Sequence, residues 1–281
     1  MPVSPLTYVF RPDEKARAGF ARILGEISAR ARDLPRLSLE PVDELIHEGR
    51  LLIKRARALL WFARPVLGPA AYTRGRERLR KAAELLAAHR DLAVTQATLE
   101  RLAGKASKTP NQAAMTQLFQ SLAGDLAAGE TPEAARRKTL EQAMDILHRA
   151  AAGIKRSAAG RIAWPSASGR VAEAFRAARQ AGKKARRTGK DADFHAWRKK
   201  AKRLLYQLEL TQAEPGRRMA RIMKRIGKLQ ETLGTHQDGV MAAEHLGRML
   251  PLSSSARCVL GLLEKRKSRL RRRAWKIARQ Q

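Results

Sequence analysis

Residues 47–55 are HEGRLLIKR and residues 195–203 are HAWRKKAKR, so the pattern H-x-x-R-x-x-x-K-R occurs twice, 148 residues apart. A helix turns by about 100° per residue, which places His47, Arg50 and Lys54 on one side of the first segment. The apolar residues of that segment, among them Leu52 and Ile53, fall on the other side. Each segment therefore predicts an amphipathic helix with a cationic stripe that begins at a histidine.

Two further groups of residues repeat at almost the same spacing. The sequence His-x-Asp occurs at 89–91 and at 236–238, which are 147 residues apart. Before each of these segments lie three cations spaced by four and three residues, again 147 residues apart: Arg74, Arg78 and Lys81 in the first half, and Arg221, Arg225 and Lys228 in the second. Three groups that keep one register predict two copies of one unit, related by a pseudo-twofold axis.

The chain as a whole has the pattern of an all-α protein. Apolar residues recur at spacings of three and four, and no stretch alternates as a strand would. Ala, Leu and Arg, which favour helices, dominate the composition. We expect a single domain over residues 13–281, with one repeat at 13–153, the other at 168–278, and a linker of Gly, Ser and Pro at 154–167.

Local signals predict several helix ends in the second repeat. Gly189 is expected to stop one helix and Asp191 to cap the next. Pro215 is expected to open a further helix that ends at Gly234, because residues 235–238, THQD, have the form of a capping box. A last helix is expected over residues 254–278.

The charge of the chain predicts a polyanionic partner. Lys and Arg number 58 against 26 Asp and Glu, a formal net charge of +32, and a field of this sign attracts negative partners. Six histidines and a single cysteine exclude a disulfide framework and a Cys-rich zinc site. No run of about 18 apolar residues occurs, and the first residues lack the order of a secretory signal. We therefore expect a cytoplasmic protein without membrane insertion.

The cationic stripes have two interpretations. Like charges three or four residues apart repel by tenths of a kcal/mol per pair, and few carboxylates share these faces, which favours a polyanionic ligand. A solvated helix face is the other interpretation, and a histidine on such a stripe can equally be a core residue or a helix-terminal one. Asp91 and Asp238 fit helix caps or partners that orient a histidine, and Tyr206 fits either packing or a hydrogen bond to phosphate.

In these motifs the chain resembles the CHAD domain (conserved histidine α-helical domain). The resemblance rests on the paired H-x-x-R-x-x-x-[KR]-R helices and on the segments LAAHRDLAV at 86–94 and LGTHQDGV at 233–240, and it covers residues 13–273. It implies two antiparallel helical-bundle repeats around a basic central groove or pore. It also implies binding of inorganic polyphosphate, association with polyphosphate granules, and no catalysis. The E-x-E-x-K strand of the triphosphate-processing barrel found in fused members is not present, so the chain is similar to a stand-alone member.

The resemblance extends to individual residues. The positions that match are His47, Arg50, Lys54, Arg55, Arg57, His89, His195, Arg198, Lys202, Arg203, Tyr206 and His236. The chain departs from the pattern at Gly49, inside a predicted helix, and at Leu205, where the first copy has Arg57. We therefore expect the halves to contribute unequally. The stripe and the cationic triplets add the remaining candidate residues for polyphosphate binding, which are Arg74, Arg78, Lys81, Lys199, Arg221, Arg225 and Lys228.

Polyphosphate has no bases, so its binder needs closely spaced cations and nothing that selects a sequence. Arg gives bidentate hydrogen bonds to phosphate oxygens and Lys adds point charges. Phosphate or sulfate ions are expected to occupy the same site, and no cofactor or metal is expected. The ordinary histidine pKa of about 6.5 rises beside bound phosphate, so acidification is expected to tighten binding.

Two other classes of protein were weighed against a polyphosphate binder. A basic nucleic-acid-binding protein is the main alternative, with weak nucleic-acid binding expected in any case. The chain has only 4 Trp, 3 Tyr and 6 Phe to stack on bases, and no helix-turn-helix, RNP or zinc motif. A phosphohydrolase is disfavoured because His-x-Asp is not an adjacent His-Asp pair, few acids could hold Mg²⁺, and no phosphate-cradling Gly-rich loop occurs. We expect a binding protein and not an enzyme.

Overall fold

A computed structural model describes residues 8–37, 41–87, 132–160, 164–211, 216–249 and 254–279. Helices occupy most of these residues and no strand occurs among them, which confirms the all-α prediction. The α-helices within these ranges are α1 (Ala16–Asp33), α2 (Val42–Phe62), α3 (Arg64–Leu85), α4 (Glu133–Ala158), α5 (Ala167–Thr188), α6 (Asp191–Thr211), α7 (Arg217–Met249) and α8 (Ser254–Arg279). The candidate residue His89 lies outside the described residues.

Contacts divide the chain into two compact units. Unit 1 contains α1 to α4, α5 as far as Arg176, and α6 from Arg203 onward. Unit 2 contains the rest of α5 and α6, α7 from Arg221, and α8. This division differs from the predicted repeats at 13–153 and 168–278 because the second half of α6 packs within unit 1. The pseudo-twofold relation between the repeats stays a prediction.

The helices of unit 1 alternate in direction. Ser28 on α1 contacts His148 on α4, and Gly25 lies opposite Lys155, so these two helices are antiparallel. Contacts of Leu60 with Gly75, and of Arg50 with Leu86, make α2 antiparallel to α3. The pairs Asp43–Arg136 and Gly49–Met144 make α2 parallel to α4.

A continuous apolar core holds unit 1 together. The inward face of α1 is fully buried at Phe20, Ile23 and Leu24, where apolar residues recur at the helical spacing. It packs with apolar side chains of the neighbouring helices: Leu45, Leu52, Ile53, Leu59, Leu79, Leu140, Met144 and Leu147. Full burial of such a side chain contributes about 1.5–3 kcal/mol. This core fixes the spacing and rotation of the helices that present the charged residues.

The helices of unit 2 follow the same order of directions. Trp197 on α6 packs against Gly182 on α5, and His195 contacts Gln237 on α7. Pairing of Asp191 at the start of α6 with Lys267, and of Trp197 with Trp275, makes α6 parallel to α8. The core of this unit is Ala185, Phe194, Trp197, Ala201, Leu229, Leu233 and Ala274.

Two glycines take a backbone conformation that other residues rarely adopt. Gly189 has φ +65° directly after the end of α5, which confirms that it stops this helix. Gly68 has φ +72° at a kink within α3, and the helix continues from Pro69.

Two predicted helix ends are wrong. Helix α7 continues through Gly234 and the THQD segment to Met249, and the Thr235 hydroxyl donates to the carbonyl of Glu231 one turn earlier instead of capping. The carboxylate of Asp191 does not cap α6, because it accepts from Lys267 and Arg271 on α8. Tertiary ion pairing outweighs the local capping preference at this position.

Candidate anion-binding site

A cationic groove lies between α3 and α4 in unit 1, and we call it the α3–α4 groove. It consists of two adjoining cavities of about 210 and 510 Å³ that share Arg78 and Arg156. The predicted ridge on α3 lines it along its length, with Arg74 in the smaller cavity and Lys81 in the larger. Arg74 and Lys81 are seven positions apart, which is about 10 Å along the helix. The structure therefore brings this predicted triplet together along one groove.

Glycines allow the two helices to approach each other closely. A Cβ atom on Gly75 would lie 3.0 Å from the Leu60 Cδ1 and 3.1 Å from the Ile154 Cγ1. A Cβ atom on Gly153 would lie 3.3 Å from the Arg78 Nη1. Gly75 thus serves the packing of α3 on its neighbours, whereas Gly153 leaves room for the guanidinium of Arg78.

Positive charge dominates the groove. Arg149 and Arg156 on α4 face the α3 ridge, and the acid among the described lining residues, Asp145, already accepts from the Arg149 Nε at 2.9 Å. Within the described part of the chain, Arg74, Arg78, Lys81 and Arg156 form no ion pair with a carboxylate. Cations held this close repel one another, and an anion in the groove would relieve that repulsion.

Two further hydrogen-bonding side chains also line the groove. His148 lies in the larger cavity, and its Nδ1 is 2.9 Å from the Ser28 Oγ and 3.2 Å from the Ser28 carbonyl oxygen. A ring anchored through Nδ1 leaves Nε2 for a ligand. The hydroxyl residue Ser157 lines the smaller cavity. The sequence analysis did not predict four α4 residues of the groove, which are His148, Arg149, Arg156 and Ser157. The seven-residue spacing of Arg149 and Arg156 nevertheless places both on one helix face.

The predicted stripe on α2 divides into exposed and structural residues. His47 and Arg57 are exposed, whereas Lys54 is half-buried. Arg50 donates to the carbonyl of Leu86, the residue that ends α3, so this guanidinium satisfies one of the carbonyls left open at the end of that helix. Arg50 therefore has a structural role that the spacing of the stripe did not predict.

A second cationic group surrounds Trp61 in unit 1. Arg170, only 5% exposed, lies over the indole with its guanidinium carbon 3.6 Å from the ring centre, and it donates to the Trp61 carbonyl. Its guanidinium also pairs with Glu173. The predicted residue Arg203 approaches the same ring at 5.0 Å. Burial lowers the pKa of both arginines. Arg170 was not predicted, because nothing in the sequence identifies a buried arginine.

Arg55 and Tyr206 belong to the packing of unit 1. The guanidinium carbon of Arg55 lies 5.2 Å from the centre of the Tyr8 ring, and Tyr8 meets Tyr206 edge to face at 6.5 Å. Burial, and then the neighbouring Glu209, raise the pKa of Tyr206 to about 12. Of the two interpretations of Tyr206, the structure shows packing contacts.

In unit 2 the stripe of α6 begins at a half-buried histidine. The His195 Nδ1 is 2.7 Å from the Gln237 Oε1 on α7. Burial, and then the positive charges of Lys199 and Arg198, lower the pKa of His195. Lys199 is exposed, while Arg198 and Lys202 are half-buried. The predicted α7 triplet comprises exposed Arg221 and Lys228 and half-buried Arg225.

The second His-x-Asp segment lies in the interior of unit 2. His236 is 1% exposed and accepts a hydrogen bond from the Arg271 Nε at 3.2 Å. Its Nε2 is also 3.1 Å from Asp191, which accepts from Lys267 and Arg271. Burial lowers the pKa of His236 to about 4, so the ring is neutral at pH 7. His236 thus joins α6, α7 and α8, and its burial separates it from the exposed cations of the candidate set.

Two searches of the described residues gave negative results. No group of three or more His, Cys, Asp or Glu side chains in these ranges is arranged to hold a metal ion. No helix in the same part of the chain is both long and apolar enough to cross a membrane.

Comparisons with known proteins identify the family. The chain is similar to the crystal structure of the CHAD domain from the plant Ricinus communis, at 18% sequence identity and a TM-score of 0.68, covering 92% of this chain and 89% of that one. At this identity the likeness shows a shared fold. No curated protein matched the chain. The family model of the CHAD domain matches residues 18–247, and the chain therefore belongs to the CHAD domain family.

Proposed function

We propose that this protein binds inorganic polyphosphate without catalysis, and that the α3–α4 groove holds the anion. The observation that carries this proposal is the row of Arg74, Arg78 and Lys81 facing Arg156, which has no ion-pairing carboxylates among the described residues. A chain of phosphates contacts successive cations along this row, whereas a single phosphate reaches only one or two of them.

The chemistry of the groove suits a flexible chain anion. Arginine forks bind phosphate oxygens in pairs, and the Ser157 hydroxyl and the His148 ring add further hydrogen-bonding groups. Among the described residues that line the two cavities there is no Phe, Tyr or Trp, so these residues offer no large aromatic platform on which a base could stack. This composition supports an anion that carries no bases.

The stripe of α6 supplies a further contact for long chains in this proposal. Lys199 is exposed beside His195, and both belong to the repeated motif. Burial first, and then the positive charges of Lys199 and Arg198, lower the pKa of His195, so cations lie near this ring. We include this stripe as a second binding element whose contribution grows with the length of the polyphosphate.

Titration with polyphosphates of defined length tests the function. We expect affinity to rise with chain length, to exceed that for DNA at equal phosphate concentration, and to fall steeply with added salt as counterions compete. Tighter binding of DNA or RNA than of polyphosphate at the same salt concentration would instead make this a nucleic-acid-binding protein. Release of phosphate during incubation with Mg²⁺ or Mn²⁺ would contradict the absence of catalysis.

The same proposal includes association of the protein with polyphosphate granules in cells. A fluorescent fusion should co-localise with granules and become diffuse in cells that cannot make polyphosphate. A fusion that stays diffuse in granule-containing cells would contradict this part of the proposal while leaving binding in solution untouched.

A further inference from the structure

Unit 2 contains a cavity that polyphosphate binding does not use. It has a volume of about 530 Å³ and lies among the end of α5, the start of α6 and the last turns of α8. This size is within the range of sites that hold small organic ligands. Its accessible lining is mostly apolar, in contrast to the polar walls of the smaller cavity of the α3–α4 groove.

Aromatic rings form the apolar part of this cavity. Phe194, Trp197 and Trp275 line it, with the centres of the two indoles 6.5 Å apart and Phe194 6.0 Å from Trp197. None of the lining residues in the described part of the chain is Leu, Ile, Val or Met. Such walls offer flat faces for a ring to stack on, and they lack the aliphatic side chains that usually surround a lipid tail.

Cations surround the aromatic part. Arg186 lies over the Trp275 ring with its guanidinium carbon 4.3 Å from the ring centre. Arg272, Lys276 and Arg279 follow one face of α8 beside Trp275, and within the described ranges they form no ion pair. The lining residues that the structure describes include no carboxylate. The rim therefore favours a ligand with two or more negative charges.

The half-buried ring of Trp275 lies next to cations that form no ion pair within the described ranges, and this arrangement has a cost in the free protein. Apolar surface in contact with water is unfavourable, and the like charges of the rim repel one another. A ligand with a flat ring and an attached anionic group removes both costs at once. A purely inorganic anion would reduce only the repulsion among the cations of the rim. An uncharged ring would cover only the aromatic surface.

We propose that this cavity binds a nucleotide, with its base stacked against Trp275 and its phosphates at the cations of Arg186, Arg272 and Lys276. The base supplies the planar ring and the phosphates supply the charge. The proposal does not rest on polyphosphate binding, because its residues lie in unit 2 and the α3–α4 groove lies in unit 1.

Equilibrium dialysis with ATP, tripolyphosphate and adenosine tests the proposal on the full-length protein. We expect ATP to bind about tenfold or more tightly than tripolyphosphate or adenosine, since stacking of a base on an aromatic ring contributes about 1–3 kcal/mol. Equal binding of ATP and tripolyphosphate would overturn the proposal, because the ring would then contribute nothing.

Variants of exposed residues locate the ATP site. The double variant R272A/K276A should lose about tenfold or more of the ATP affinity. The control R269A/R273A removes the same charge from exposed positions of α8 that do not line the cavity, and it should bind ATP normally. Trp275→Ala should also lose ATP affinity, and Trp275→Phe should retain part of it if the aromatic face is what matters.

The same variants separate this proposal from the proposed function. R272A/K276A should bind long-chain polyphosphate as the wild type does, and R74A/R78A should bind ATP as the wild type does. Loss of ATP binding in R74A/R78A but not in R272A/K276A would place ATP in the α3–α4 groove and overturn the proposal.

Discussion

Arg170 stacks on the indole of Trp61 and donates a hydrogen bond to the carbonyl of the same residue. One guanidinium therefore contacts both the side chain and the backbone of a residue at the end of α2. Its side chain is buried, and its pairing with Glu173 offsets part of the cost of burying the charge. This arrangement fixes the start of α5 against α2 in unit 1.

Replacement of Arg170 should therefore reduce stability. We expect R170A to lower the free energy of unfolding by about 3 kcal/mol, because it removes a buried, hydrogen-bonded charge and opens a space beside Trp61. R170K should lose less than R170A because it keeps the positive charge, but it should not match the wild type, since an ammonium cannot stack and donate in the same fixed geometry. Urea denaturation measures the change, with R176A, an exposed position of the same helix, as control. Equal stability of R170A and R176A would contradict this role.

Two helix glycines in unit 2 should respond to alanine with opposite signs. A Cβ atom on Gly182 would lie 2.8 Å from the Trp197 indole, whereas Gly227 has nothing within 4 Å of that position. Gly182→Ala should lower the free energy of unfolding by about 1–3 kcal/mol through overpacking. Gly227→Ala should raise it by up to about 1 kcal/mol through helix propensity. A stabilised Gly182→Ala variant would show that α5 can move away from Trp197.

Buried His236 should make stability depend on pH. Its pKa is lowered to about 4, first by burial and then by Arg271 and Lys267, against the opposite effect of Asp191. The unfolded chain, with an ordinary pKa of about 6.5, binds more protons than the folded chain between these values. The free energy of unfolding contributed by His236 is therefore complete above pH 6.5 and is lost as pH falls toward 4.

His236→Gln should flatten the stability profile over this window. His195, whose pKa is also lowered, should leave a smaller residual slope in the variant. The lowered pKa of Asp191 affects stability only at lower pH, because its ordinary value is 3.8. Thermal denaturation at a series of pH values measures the effect, and an unchanged slope between pH 6.5 and 4 would show that His236 is not held neutral.

Binding of polyphosphate should be coupled to protonation of His195. In the free protein its pKa is lowered by burial and by Lys199 and Arg198, with the hydrogen bond to Gln237 acting in the opposite direction. A polyanion beside these cations raises the pKa again, so binding takes up a proton and tightens as pH falls below 7. Affinities measured between pH 8 and 6 should show a weaker trend in His195→Gln. The same trend in variant and wild type would remove His195 from the binding element.

Periodicity was sufficient to predict the helices, because most of them bury one apolar face. The stop of α5 at Gly189 followed from local chemistry that the folded chain retains. The end of α7 did not follow from local chemistry. A capping box at residues 235–238 competes with continuation of the helix, and the helix continues to Met249 because its packing is more favourable. Asp191 was likewise expected to cap its own helix, but its carboxylate accepts hydrogen bonds from residues of α8, more than seventy residues away in sequence.

The sequence predicted only the α3 side of the candidate site, because the repeated triplet of cations lies on that helix. Arg74, Arg78 and Lys81 share a helix face by spacing alone, but their facing residues Arg149 and Arg156 depend on how α4 packs against α3. Exposed arginines are common in so basic a chain, and sequence does not show which of them meet across a groove. The burial of Arg170 and His236 is equally a product of tertiary packing.

The central claim is that polyphosphate lies along the α3–α4 groove, and a pair of matched variants tests it. R74A/R78A removes two groove arginines, while R76A/R80A removes two exposed arginines of the same helix that do not line the groove. In isothermal titration with long-chain polyphosphate at fixed salt, R74A/R78A should lose about tenfold or more in affinity and show a salt dependence weaker by about two phosphate contacts. R76A/R80A should bind much as the wild type does. Equal affinities and equal salt dependence for the two variants would contradict the claim.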